Sequence, residues 1–233
     1  MNKERKLNNT LIRILVGIIG IPLIVLIILK GGIIFFLFTF ILNTACLYEF
    51  FKMFEKKEIY PQKNLGIILS SISMLLYFID IKYSLAALLI SFVILSFLEI
   101  FRNDKVRSPL SPAISLFSFV YISLSMLMLN VLEQNSMQVL LILILIWVND
   151  SFAFFIGKLL GKHKLSSISP NKTIEGFIGG VVFTAIASII IFKFKIIDIN
   201  MIDLIVFTFV ATFFGTAGDI FESMLKRFAG IKD

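Results

Sequence analysis

An all-α, polytopic integral membrane bundle is the fold class that three observations predict. Of the 233 residues, 58% are hydrophobic and 16% charged, too little charge to keep a soluble domain of this size dispersed. The 26 Phe lie mostly in long apolar runs, and eight such runs approach the length of roughly 20 residues that a spanning helix needs. Eighteen of the 22 Lys and Arg fall in alternate connections between those runs. By the positive-inside rule, both termini and the basic connections are expected in the cytoplasm. The net charge of +7 would suggest nucleic acid in a soluble chain; between apolar runs it suggests lipid headgroups, and no nucleic-acid partner is expected.

The chain opens with a short basic arm, MNKERKLNNTLIR. The apolar run 14–29 that follows carries no small-x-small cleavage site, so it reads as the first transmembrane helix rather than a signal peptide. The eight expected spans are 12–29, 33–51, 65–79, 83–101, 112–132, 137–156, 175–194 and 201–217. Lys52, Lys56, Lys57 and Lys63 lie between the second and third, and Arg102, Lys105 and Arg107 between the fourth and fifth. Lys158, Lys162, Lys164 and Lys172 lie between the sixth and seventh, while Lys226, Arg227 and Lys232 follow the eighth. Cys46 is alone, which excludes a disulfide framework, and is expected to be a small buried hydrophobe. Residues 1–233 read as one membrane domain, with N-terminal helices over 1–146 and the chemistry-bearing segment over 147–233.

Within that segment, Asp150 interrupts an apolar run. A carboxylate at membrane depth costs roughly 2.5–3.5 kcal/mol on insertion scales, so it is a functional candidate, the alternative being an acid that snorkels at a helix end. Asp150, Ala153, Gly157 and Gly161 share one helical face, an acid above small residues that allow close helix approach. The expected topology gathers Glu49, Glu99, Asp150 and Asp219 toward the cytoplasmic side, implying a polar cavity there; for Glu49 and Glu99 a purely interfacial role stands beside it. Gly157-Lys-Leu-Leu-Gly161-Lys162 is not a Walker motif: it has three residues between the glycines, and His163 stands where Ser or Thr would hold magnesium. His163 itself reads as solvated.

Ser169-Pro170 suits a helix N-cap followed by the first helical position, with free N–H groups and Lys172 beside them. That start is either an anion site or simple helix initiation. Toward the C-terminus, Asp219, Glu222, Ser223, Lys226 and Arg227 form one polar helical face opposite Ile220, Phe221, Met224, Leu225 and Phe228. Such a face can hold a metal and phosphates together, or can mark an interfacial amphipathic helix without chemistry.

Taken together, these segments resemble the phosphatidate cytidylyltransferase (CDP-diacylglycerol synthase) family. Ser223-Met-Leu225-Lys226-Arg227-Phe-Ala-Gly-Ile-Lys232-Asp233 is similar to the family signature S-x-hydrophobic-K-R-x4-K-D. Gly218-Asp219 with Glu222-Ser223 resembles its G-D-x-x-E-S, Ser169 through Gly176 its S-P-x-K-T-x-E-G, and Trp147-x-x-Asp150 through Gly161-Lys162 the segment before it. The resemblance covers about 147–233 by motif and 1–146 as a hydrophobic bundle. It implies cytidylyl transfer from CTP to phosphatidate, giving CDP-diacylglycerol and pyrophosphate, with Mg²⁺ as cofactor. It assigns Asp219 and, less directly, Asp150 to metal and catalysis, and Lys226 to catalysis. Lys172, Ser169, Thr173, Ser223, Arg227 and Lys232 are assigned to substrate. The implied setting is a bacterial-type inner membrane, with the site facing the cytoplasm and membrane lipids around it; a second copy of the chain is an open option as partner. The family signature continues past Lys-Asp into P-x-H-G-G and D-R-x-D, so the sequence is expected to be a fragment, inactive as it stands. Two rival readings are a CTP-dependent polyprenol kinase and a transporter using Asp150; the latter calls for an internal repeat, and none is visible.

Overall fold

The structure, a computed structural model, describes residues 3–103 and 107–230, with side chains from Gly17 onward. Lys105, Lys232 and Asp233, and the side chains of the basic arm, lie outside the described residues. Among those described the chain is all-helical, with one isolated antiparallel bridge between Lys164 and Thr173. In chain order the helices are α1 (Lys3–Lys30), α2 (Gly32–Glu55), α3 (Lys63–Leu76), α4 (Ile81–Ile100), α5 (Leu110–Ser118) and α6 (Leu124–Leu132). They continue with α7 (Ser136–Leu160), α8 (Ile174–Lys193), α9 (Met201–Phe209) and α10 (Gly215–Phe228). π-helical turns at Phe119–Ser123 and Val210–Phe214 join α5 to α6 and α9 to α10.

Among the described residues five stretches are long and apolar enough to cross a membrane: Gly32–Glu55, Ile81–Ile100, Leu110–Leu160, Ile174–Lys193 and Met201–Phe228. Gly17–Lys30 and Lys63–Leu76 are shorter apolar helices. The 51 residues of Leu110–Leu160 would reach about 75 Å as a straight rod, over twice a bilayer core. They do not run straight: the backbone leaves the helical region at Asn135, with φ −124° and ψ 89°, before α7 begins. The C-terminal stretch departs from expectation in the other direction. Instead of a span ending at 217 with a separate polar helix after it, α9, the π-turn and α10 run on as one unit. Nothing between 214 and 218 breaks it, since Gly215 and Gly218 keep helical backbone.

Helix burial is inverted relative to a soluble protein. The buried faces of α3, α4, α5 and α8 are rich in Gly, Ser and Thr, such as Ser70 and Ser73, Ser84 and Ser91, Ser111 and Ser115, Gly180 and Thr184. Ile, Leu and Phe dominate the outer surface, Leu89, Ile90 and Val93 among them. Lipid supplies no hydrophobic drive between helices, so small and hydroxyl residues take the contacts. Cys46 belongs to this outer surface; it is exposed on α2, not buried as expected, because a small apolar residue needs no protein cover where the surroundings are apolar.

Two packed groups result. In the N-terminal group, Phe36, Met74, Leu88, Leu95, Phe119 and Leu127 form a core through α2–α6, and Asn43 donates to Ser70, which bonds Ser123 (3.0 and 2.8 Å). In the C-terminal group, Leu141 and Leu145 of α7 pack on Ile191 of α8 and Leu204 of α9. The connections sort to two ends. At one, Gly31 and Gly32 turn between α1 and α2 with φ of 60° and 55°, values glycine adopts freely, and Glu133 accepts from the Gly32 N–H at 3.3 Å. At the other, the 56–62 and 161–173 connections, with the described parts of 101–109, gather around the C-terminal end of α10. Ser111 bonds Tyr60 O, Phe54 meets Phe228, and Arg227 reaches Ser167 O.

Candidate active site

The α7–α8 pair is the most extensive helix contact in the molecule. A Cβ on Gly176 would lie 2.6 Å from Ala153 O and 3.0 Å from Gly157 Cα, and one on Gly180 2.6 Å from Asn149 Oδ1. The small face read along Asp150, Ala153 and Gly157 is therefore the face that α8 fills with its own glycines. This approach brings the acid-bearing turn of α7 beside the start of α8.

The helix begins at Ile174, as the expected span 175–194 has it, but its N-cap is Thr173 and not Ser169. The Lys172 N–H donates to Ser169 O at 3.0 Å, closing a turn with Pro170 second, a position whose φ proline already holds. The segment then stays extended, and Thr173 caps α8, its hydroxyl accepting from the Gly176 N–H at 3.1 Å. Glu175 fastens the other strand of the loop. Its carboxylate accepts from the N–H groups of Lys162 (3.0 Å) and His163 (3.2 Å), and His163 Nδ1 lies at 2.6 Å. His163, expected to be merely solvated, is exposed but engaged. With Leu165 N–H on Lys172 O (2.8 Å) and Ile174 N–H on His163 O (2.9 Å), residues 161–173 form a closed loop.

Between loop, α7 and α10 lies a cavity of about 570 Å³. Asp150, Ala153, Phe154, Gly157 and Lys158 of α7 line it, with Ser169, Asn171, Lys172 and Thr173 of the loop and Thr216 and Asp219 of α10. Across its mouth Lys172 Nζ stands 2.7 Å from Asp219 Oδ2, with side chains 30% and 50% exposed. Phe154, Leu165 and Phe177 add apolar wall. Behind it, Asn149 is 1% exposed, and its Nδ2 lies 3.5 Å from both Thr216 Oγ1 and Asp150 Oδ1, long contacts that register α7 against α10. Asn149 Oδ1 is buried without a hydrogen-bond partner among the described residues.

Of the residues singled out in the sequence, Asp150, Ser169, Lys172, Thr173 and Asp219 meet at this cavity. Ser223, Lys226 and Arg227 lie farther along α10, outside its lining. Lys226 pairs with Glu222 at 2.9 Å, and Arg227 Nη1 reaches Ser167 O at 3.3 Å. Lys232 is outside the described residues. Glu49 and Glu99 do not join the cavity as expected. Glu49 is exposed on α2, while Glu99 is 4% exposed in a cluster of its own. It receives Gln62 Nε2 (2.9 Å), the Ser108 N–H (2.9 Å) and Arg102 Nη1 (3.2 Å), so its charge holds loops together. Sequence reasoning missed Asn149, Thr216 and the clamp made by Glu175. Thr216 was within reach, standing one helical turn before Asp219; no local signal marks Asn149.

Fold and site together define an integral membrane protein of helical bundle type, with an acid- and lysine-lined cavity at one end. The cytidylyltransferase family profile matches residues 11–233, and the chain belongs to that family. It is 30% identical over 233 residues to a phosphatidate cytidylyltransferase of Staphylococcus saprophyticus, covering 95% of this chain and 87% of the relative. The enzymes so named from Staphylococcus epidermidis and Staphylococcus aureus are 32% and 31% identical over 231 residues, with the same coverage.

Proposed function

We propose that the protein transfers the cytidylyl group of CTP to phosphatidate, giving CDP-diacylglycerol and pyrophosphate. A phosphate oxygen of phosphatidate attacks the α-phosphorus of CTP, the bond to the bridging oxygen breaks, and pyrophosphate departs. One observation carries this reading beyond family membership. Three motif segments meet at one cavity, the third remote in the chain from the other two: Asp150 and Gly157, Ser169 to Gly176, and Asp219.

Lys172 is assigned to a substrate phosphate, with Ser169 and Thr173 bordering the same place. Asp219 and Asp150 are assigned to Mg²⁺. The donor set fits that ion, which takes one or two carboxylates and completes its shell with substrate phosphates and water. When bound, the ion neutralises charge developing on the phosphates. Ser223, Lys226, Arg227 and Lys232 are proposed to extend the phosphate- and nucleotide-binding surface beyond the cavity along α10. Phe154, Leu165 and Phe177 give the lipid substrate an apolar approach from the bilayer.

The finer topology belongs to the same reading: eight spans, both termini and the cavity in the cytoplasm of a bacterial-type cell, within its inner membrane. The supporting feature is that the described basic connections gather at the cavity end of the bundle. In a Cys46→Ser background, Gln134→Cys should label from outside and Lys164→Cys only from inside; the opposite pattern overturns the orientation. For activity, protein carrying the family's P-x-H-G-G and D-R-x-D continuation, in detergent with CTP, phosphatidate and Mg²⁺, should yield CDP-lipid and pyrophosphate in equal amounts. A phosphorylated polyprenol with CDP as co-product would instead favour the kinase reading.

A further inference from the structure

The lysine at the cavity mouth sits on the carboxylate that the proposed reaction needs for its cation. Lys172 Nζ is 2.7 Å from Asp219 Oδ2. Its backbone, by contrast, is fixed: the N–H bonds Ser169 O at 3.0 Å and the carbonyl receives the Leu165 N–H at 2.8 Å. The next residue, Thr173, is held by the bridge to Lys164 and by its capping bond to the Gly176 N–H. Glu175 clamps residues 162 and 163, and Arg227 reaches Ser167 O from α10. With the loop held at so many points, the freedom left at position 172 is the flexible four-carbon stem, which moves a point charge without moving the backbone. The pair itself is partly exposed, so breaking it costs little provided both charges find new partners.

We propose that Lys172 is a placeholder cation at Asp219, so that the cavity takes a divalent ion there only together with a phosphate-bearing ligand that receives the displaced ammonium. This rests on the reading of Asp219 as a cation ligand and adds to it an order of assembly. An ion arriving alone meets an ammonium group already on its ligand oxygen. The other carboxylate lining the cavity is Asp150, and a lysine moved there takes away the second acid that the ion needs. A triphosphate resolves the conflict, since one of its phosphates becomes the new partner of Lys172 while others share the ion. The ligand class selected is therefore a metal–nucleotide complex, and the site discriminates against the free metal.

Manganese binding, read by electron paramagnetic resonance of the free ion, tests this without turnover. Wild-type protein in detergent should bind Mn²⁺ weakly alone and much more tightly with CTP. Lys172→Met should bind Mn²⁺ alone about fivefold or more tighter than wild type, the lower range of ordinary site coupling, and CTP should then add less. Lys172→Arg keeps a cation on Asp219 and should behave like wild type, which also checks folding. Lys158→Met removes the same charge from another part of the cavity wall, where Lys158 lies against the Phe154 ring, and should shift Mn²⁺ affinity far less. Unchanged or weaker Mn²⁺ binding in Lys172→Met overturns the placeholder role, as does an equal effect from Lys158→Met. The expected Mn²⁺ pattern with no CDP-lipid from protein carrying the family's P-x-H-G-G and D-R-x-D continuation overturns the proposed function and keeps this inference.

Discussion

Glu99 and Asp219 are both acids near the same end of the bundle, and each meets a basic residue, yet they have opposite surroundings. Glu99 is 4% exposed and receives Gln62, Arg102 and the Ser108 N–H, a set that ties the 56–62 and 101–109 connections to α4. Asp219 is half-exposed at a cavity mouth, holding one lysine from a loop 47 residues away. A carboxylate whose acceptor sites are filled by its own chain has little left to offer a ligand. One that is open on one side, with a single partly exposed lysine as its partner, can exchange that partner. The same contrast separates the two halves. In the N-terminal group Asn43, Ser70 and Ser123 bond one another, whereas Asp150, Lys172 and Asp219 of the C-terminal group line a cavity.

The sharpest way to break this contrast is to exchange the consequences of the two acids. Asp219→Asn should lower CDP-lipid formation by roughly 10²–10³-fold, the usual loss when a group serving a developing charge is removed. Its thermal unfolding should stay near wild type, because surface substitutions seldom move stability beyond about 0.5 kcal/mol. Near-normal turnover would remove Asp219 from the chemistry. Glu99→Ala should do the reverse. It takes one acceptor from each of three donors, Arg102, Gln62 and the Ser108 N–H, and breaking a buried pair costs about 3 kcal/mol, so the melting temperature should fall by several degrees while specific activity of the folded fraction is retained. A stable but inactive Glu99→Ala protein would place Glu99 with the functional acids and end the distinction.

A smaller effect sharpens the contrast within the C-terminal half. Thr216→Val removes the hydroxyl next to Asn149, whose Oδ1 already lacks a partner, and should cost about 1–2 kcal/mol by leaving more of that amide unsatisfied. It should also raise the Mg²⁺ needed for half-maximal turnover, since α7 and α10 carry the two acids. A loss of stability with an unchanged Mg²⁺ requirement would reduce the Asn149–Thr216 contact to packing.

Hydropathy and local spacing by themselves determined the helical membrane class, the turn near residue 135, the small face of α7 and the motif segments at 147–176 and 218–227. Those features depend on the residues immediately around them and on the solvent, which for this composition is lipid. They also explain why Cys46 could not be placed: an apolar residue facing lipid and one facing a core have the same sequence signature. Only the tertiary structure decided which acids work together. Glu99 and Asp150 look alike in sequence, each an acid in a largely apolar stretch, while Asp219 stands on a polar helical face. Whether such an acid is filled or open depends on partners 9 to 47 residues away, such as Ser108 and Gln62 for Glu99 and Lys172 for Asp219. The start of α8 followed the same rule, since Ser169-Pro170 begins a helix or a turn equally well. The bridge from Thr173 back to Lys164 and the Glu175 clamp chose the turn, because they hold the backbone extended up to the cap.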